Sequence, residues 1–337
     1  MSPHEIRHIR LEGIIEIISG KRGIIKSNNL LLPLAVLVFV NKSINGLYGL
    51  VVFFAIFAVV VCWSLACIFI NDIADRTDDT RVGKRRWIWK LPAGHAVSFV
   101  LFLVGFGVLV LLLFDTLPIT YGAYGAALLL GIFYSVKPFR GKERGLLGLV
   151  VYSLSCTIAF VVIPWTWIGR NPVTLGILCP AVFLDKWVNL HFHQVVDYTS
   201  DKERDTTTFA VRQGLESART TLYYGASAAS VAFIVVGIFL LLNDPWLLSP
   251  VALSLLIAAG LSFIVWYMQR KRQKKGSALI RELPWFYLGL TYAMLRVAPF
   301  LIFIILAQQD SFMWGAVVWV AALLVIESWH SLHYNYE

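Results

Sequence analysis

The amino-acid sequence predicts an all-α polytopic membrane protein, and three observations carry that prediction. Of 337 residues, 58% are hydrophobic and only 15% charged, with a mean hydropathy of +0.72. Uncharged apolar runs of about 20 residues, the length a helix needs to cross a hydrocarbon core, recur along the chain. A soluble core could wrap one such run but not a series of them.

The elements follow in order. The opening MSPHEIRHIRLEGIIEIISGKRG carries Arg, Glu and His throughout and lacks the basic start, apolar centre and small-residue cleavage site of a signal peptide. Residues 1–26 are therefore read as a cytoplasmic amphipathic segment lying on the membrane surface. Residues 27–337 read as a single transmembrane domain, because no linker or low-complexity stretch divides them. Its spans fall near 27–44, 47–70, 94–114, 118–134, 146–168, 173–194, 219–242, 248–268, 284–307 and 312–330. Pro33 and Lys42 weaken the first, and the last could lie along the interface instead.

Orientation follows from the basic residues. Of 29 Lys and Arg, 25 fall before the first span or in the loops after spans two, four, six and eight, which all share one face. The positive-inside rule makes that face cytoplasmic. The net charge of +9 is then a signal for insertion and for the lipid headgroups of the bilayer. Nucleic acid is not an expected partner, since the basic loops carry no recognisable nucleic-acid fold.

Against that basic background the acidic residues of the same face stand out. Asp72, Asp75, Asp78 and Asp79 follow span two; Asp197, Asp201, Glu203 and Asp205 follow span six. On a continuing helix, 72, 75 and 79 share one face, as do 197, 201 and 205, whereas Asp78 points about 100° away from Asp79. Two carboxylate rows at two helix ends could converge on the same cations; each row alone could also be a solvated loop offsetting its basic neighbours. Oxygen-only ligands suit a hard divalent ion, Mg²⁺ in particular, with phosphates and waters completing its shell. Cys62, Cys67, Cys156 and Cys179 lie in apolar spans without metal-ligand spacing and imply no disulfide.

These spacings resemble a known family. Asn71, Asp72, Asp75 and Asp79 form Asn-Asp-x-x-Asp-x-x-x-Asp, which resembles the first aspartate-rich motif of the UbiA superfamily of intramembrane prenyltransferases; Asp197 and Asp201 resemble its second. Leu91-Pro92-Ala93-Gly94, the segment YSVKPFRGKERGLLG from Tyr134 to Gly148, and TFAVRQG from Thr208 to Gly214 are similar to further family motifs, in the same order. The resemblance implies a bundle of nine transmembrane helices around a central cavity, leaving one C-terminal span extra. It also implies an enzyme, a transferase that binds an isoprenyl diphosphate through Mg²⁺ held by both motifs, ionises it, and lets an acceptor capture the allylic cation. No protein partner is required by it.

Departure of a diphosphate needs its charge neutralised, a task for metal ions and basic side chains. Lys137, Arg140, Lys142 and Arg212 are placed for it, with Tyr134 and Asn71 beside them, though each basic residue could equally meet lipid headgroups. Tyr, Phe and Trp side chains could shield the cation. Span six adds a polar stripe, Asp185, Asn189, His193 and Asp197, at intervals of four. Ionisable groups at membrane depth usually face a bundle interior. Asp185 or His193 could accept a proton from the acceptor or the product cation; the stripe could also be a network that only holds helices together. Trp89-Lys90 stands where many family members that prenylate aromatic rings have Arg-Pro, which leaves the acceptor open. A cyclase, or a transferase acting on a prenyl phosphate, shares the fold; a transporter or lipid-binding protein would also place polar residues in the membrane.

Overall fold

A computed structural model describes residues 29–41, 46–81, 83, 86–169, 171–203, 205–243, 260 and 283–334. The amphipathic segment expected over 1–26, the span expected over 248–268 apart from Gly260, and the basic loop from Arg270 to Arg281 lie outside these. Among the described residues every regular element is helical, and a single isolated bridge joins Gly145 to Thr208. The helices are α1 (Leu31–Asn41), α2 (Gly46–Ala74), α3 (Arg76–Arg81), α4 (Ala93–Leu113), α5 (Pro118–Ser135), α6 (Leu146–Ile168), α7 (Pro172–Val196), α8 (Tyr198–Glu203), α9 (Phe209–Gln213), α10 (Leu215–Asn243), α11 (Phe286–Gln309) and α12 (Trp314–Tyr334).

Among the described residues six helices are long and apolar enough to cross a membrane: α2, α4, α6, α7, α10 and α11. The predicted spans near 27–44 and 312–330 hold the shorter apolar stretches Leu31–Asn41 and Ser311–Glu327. The one near 118–134 forms the 18-residue α5. Helix starts follow local chemistry. Pro118 and Pro172 occupy first-turn positions where a missing N–H costs nothing. Asn171 caps α7, its side chain accepting from the Val173 N–H at 2.9 Å.

The bundle has a central helix and peripheral ones. α2 buries 67% of its most apolar window inside the protein, whereas α4 buries 33%. The outward face of α4 presents Leu101, Phe102, Leu112 and Leu113, and α10 presents Val231 and Ile238, as a lipid solvent permits. α7 packs along α10 and α6, and α2 along α4 and α5. Gly225 allows the approach of α10 to α7: a Cβ there would stand 2.1 Å from the Trp187 ring.

Two features position the site. α2 and α7 each stop at an aspartate and resume at once as a six-residue helix. The backbone bonds Asp75 N–H to Asn71 O (2.9 Å), Asp79 N–H to Asp75 O (2.9 Å) and Asp201 N–H to Asp197 O (2.8 Å) keep a helical period across both breaks. Second, α6 and α11 each contain one wide π turn, at Ile158–Val162 and Ala293–Val297. Such turns recur at functional sites because they re-aim side chains.

Candidate functional site

A cavity of about 450 Å³ opens among these helices, lined by α2, α5, α6 and α7 and by Arg296 and Glu327 from α11 and α12. Its mouth carries Asn71, Tyr134 and Ser135; its wall carries Trp63, Tyr152 and Phe160, with Lys186, Asn189 and His193 on α7. Aromatic rings and hydroxyls thus alternate around a space large enough for a lipid-like group.

At the mouth, the first aspartate motif is assembled. Asp72, Asp75 and Asp79 are buried, at 1%, 9% and 8% exposure, while the Asp78 side chain is 43% exposed. The helical period places the first three against the protein and turns Asp78 outward. Three cations clasp the group. Arg86 reaches Asp72 (3.9 Å) and Asp79 (3.6 Å). Arg140 donates to Asp78 (2.5 Å) and lies 3.4 Å from Asp75. Lys142 donates to Asp75 and stands 3.4 Å from Asn71 Oδ1. Burial opposes the Arg140 charge, but the hydrogen bond to Asp78 and the carboxylates of Glu143, Asp75 and Asp78 outweigh it and hold the guanidinium above its ordinary range. Trp89, where the family pattern has another residue, donates its indole N–H to the Asp72 carbonyl (2.7 Å), a carbonyl near the α2 end that the helix break leaves needing a partner.

The second motif is built alike and clothed differently. Asp201 is buried at 8% exposure, Asp197 is exposed, and among the described residues no cation pairs with Asp197. Tyr134, between the motifs, lies within electrostatic reach of both Asp75 and Asp201. The two aspartate-bearing helix ends thus flank Tyr134, a residue of the cavity lining, and no motif aspartate itself lines the cavity.

The remaining residues singled out from the sequence separate into three places. Lys137 is exposed on its loop. Arg212 is also exposed, and joins two loops: it donates to the Glu143 carbonyl (3.1 Å), as Thr207 does (2.6 Å), and its Cδ would lie 2.9 Å from a Cβ built on Gly145, whose φ of +61° also disfavours a side chain. The polar stripe of α7 divides. Asn189 and His193 line the cavity, but Asp185 lies behind it, 2% exposed, accepting from the Tyr287 hydroxyl (2.8 Å) and pairing with Lys186 (2.7 Å). Intervals of four drift by about 40° per step on a helix, so Lys186, at three and seven residues from Asn189 and His193, shares their face better than Asp185 does.

Four contributors carry no motif in the sequence. Arg86 and Lys186 show there only as charges. Arg296 and Glu327, forming a two-pronged ion pair at 2.7 and 2.9 Å across α11 and α12, were legible as lone charges within apolar runs.

An oxygen-only donor set of carboxylates and one amide fits a hard divalent ion such as Mg²⁺. Among the described residues no three such side chains stand close enough to form a ready metal cage. Protein cations occupy the first motif instead.

Comparison with known proteins gives the same architecture. The solved structures that match include a UbiA homologue from Archaeoglobus fulgidus bound to GPP and Mg²⁺, 17% identical, with a TM-score of 0.55 over 86% of this chain and 98% of that one. A digeranylgeranylglyceryl phosphate synthase is 18% identical, with a TM-score of 0.55 over 91% and 98%. A UbiA homologue from Aeropyrum pernix K1 is 18% identical, with a TM-score of 0.53 over 83% and 98%. A search of curated protein sequences gives no match. The sequence model of the UbiA prenyltransferase family matches residues 30–283, from α1 past α10 and through both aspartate-bearing helix ends. Fold, motif placement and family match agree: this chain is an integral membrane protein belonging to the UbiA prenyltransferase family.

Proposed function

We propose that the protein is a Mg²⁺-dependent prenyltransferase that moves the prenyl group of an isoprenyl diphosphate onto an acceptor lodged in the cavity. The observation that carries this reading is a pair of aspartate-bearing helix ends, flanking Tyr134, beside a cavity lined by aromatic side chains. It is supported by the solved homologue that holds GPP and Mg²⁺.

Asp72, Asp75, Asp79, Asp197 and Asp201 would hold the metal. Bound there, Mg²⁺ supplies charge neutralisation for the diphosphate. The chain's own residues do the rest. Lys142 and Arg140, paired with Asp75 and Asp78, would be free to turn toward the diphosphate oxygens once Asp75 holds the metal. The prenyl C–O bond breaks with both electrons leaving on the diphosphate, and the allylic carbon bonds to the acceptor's nucleophilic atom. Phe160, Trp63 and Tyr152 keep water from the cation and offer it their ring faces. His193, on the cavity wall, receives the proton the acceptor loses. The mouth, the loops around both motifs and residues 1–26 lie on the cytoplasmic side, where the basic loops gather.

Purified protein given Mg²⁺, GPP or longer diphosphates, and a lipid extract as acceptor source should release pyrophosphate and form a prenylated product. Chelation with EDTA should stop both. Absence of turnover and of diphosphate binding at every chain length would overturn the reading, and release undiminished without any acceptor would replace the transferase by a cyclase.

A further inference from the structure

Arg140 is shared among three carboxylates, and only one of them belongs to the aspartates that would hold the metal. Its Nη2 donates to Asp78 (2.5 Å) and lies 3.4 Å from Asp75, while its Nε lies 2.7 Å from the Glu143 carboxylate. Asp75 is in the metal set; Asp78 and Glu143 are not. Lys142 differs, because its partners are Asp75 and Asn71. Once Asp75 turns to a metal, Lys142 loses its ion pair, whereas Arg140 can pivot about two remaining anchors. Both anchors grip the Nε–Nη2 edge of the guanidinium. Among the described residues Nη1 makes no hydrogen bond or ion pair, which leaves its two N–H donors to offer. The Arg140 backbone has a φ of +41°, a left-handed conformation that a residue with a side chain keeps only where its surroundings hold it.

Glu143 is also where the loops of the two motifs meet. Its carbonyl accepts from the Thr207 hydroxyl (2.6 Å) and from Arg212 (3.1 Å), and Gly145 bridges to Thr208. The Thr206 N–H in turn donates to the Asp201 carbonyl (2.9 Å). A series of direct contacts thus runs from Asp201 in the second motif, through Glu143, to Arg140 and Asp78 in the first. We propose that Glu143 is a positioning residue: with Asp78 it keeps Arg140 in place while Asp75 takes the metal, so that Nη1 meets an oxygen of the diphosphate. The loop of the second motif holds Glu143 itself. This rests on the prenyltransferase reading above and gives work to two carboxylates outside the metal set. A cation held ready where the anion arrives does not have to be ordered on binding.

The sign of the effect separates positioning from simple repulsion. Glu143 and Asp78 are negative charges beside the site of an anion, so neutralising either would tighten diphosphate binding if charge alone mattered. Positioning predicts the reverse. The test measures the dissociation constant of GPP at saturating Mg²⁺ for the full chain in nanodiscs, by equilibrium dialysis corrected for empty discs, with thermal unfolding to follow the fold. Glu143→Gln and Asp78→Asn should each weaken GPP binding about threefold to fivefold, the worth of a partly exposed ion pair. In an Arg140→Gln background neither change should weaken it further. Thr207→Val should act in the same direction and add nothing to Glu143→Gln. Unchanged or tighter binding in either carboxylate variant, or a loss that persists in full without Arg140, would overturn the inference. An unaffected Thr207→Val would overturn its link to the second motif. If Glu143→Gln does not fold, Asp78→Asn and Thr207→Val, each with and without Arg140→Gln, carry the same test. The wild-type sample separates the failures: absence of GPP binding there overturns the proposed function, whereas intact binding that no variant weakens overturns only the role of Glu143.

Discussion

The two aspartate-bearing helix ends share one backbone plan and differ in what surrounds them. Each is a long helix that breaks at an aspartate and resumes for six residues. The first is gripped by Arg86 from its own loop and by Arg140 and Lys142 from the next; no described cation pairs with Asp197 in the second. Oxygen ligands alone therefore do not make a metal site. On the proposed function, a metal ion at the first motif would have to displace protein cations, and those cations would become available to the diphosphate. The second motif offers its outer carboxylate without such an exchange.

The largest expected effect tests that asymmetry directly. Asp75→Asn and Asp197→Asn should each lower turnover on the order of 10²–10³-fold, the scale of removing one strong electrostatic stabiliser. Only Asp75→Asn should also shift thermal unfolding, because of these two aspartates only Asp75 pairs with described cations, Arg140 and Lys142. Equal melting shifts in the two variants would end the distinction. Next, Lys142→Met should reduce the Mg²⁺ concentration for half-maximal activity by about threefold to fivefold, the worth of a partly exposed ion pair, while raising KM for the diphosphate. An unchanged Mg²⁺ requirement would mean that the cations do not compete with the metal.

A smaller effect is expected where the two regions meet. Gly145→Ala places a Cβ 2.9 Å from Arg212 Cδ at a φ of +61° and should cost about 1 kcal/mol of stability, read by thermal unfolding. The smallest belongs to Arg212→Gln, which removes one exposed hydrogen bond between loops and should raise KM for the diphosphate less than about fivefold. A loss of tenfold or more would return Arg212 to direct contact with the diphosphate.

Much of this was legible in the sequence because membrane physics is strict. A run without charge from Gly46 to Ile70 has few alternatives to a helix, and α2 occupies it. The face sorting of Asp72, Asp75 and Asp79 from Asp78 followed from the helical period alone, since the period survives the break at Asp75. Contacts between distant segments were hidden. Nothing near Asp185 announces Tyr287, about a hundred positions away, which draws that carboxylate behind the cavity wall. The clasp at the first motif needs two loops to fold together, and loop geometry carries no periodic signature. Arg296 and Glu327 gave a visible sign, a single charge in an apolar run, but their partnership depends on how α11 and α12 meet.

The wide turns at Ile158–Val162 and Ala293–Val297 bear on how such a cavity can be retuned. A turn of this kind is what an α-helix becomes when one residue is inserted, and everything beyond it is rotated by about 100° relative to the uninterrupted helix. Phe160 and Arg296 both sit within one. Loss or gain of a single codon in α6 or α11 would re-aim the deep wall of the cavity while leaving the aspartates on α2, α3, α7 and α8 in register. On the proposed function, the diphosphate chemistry and the choice of acceptor would then be heritable separately.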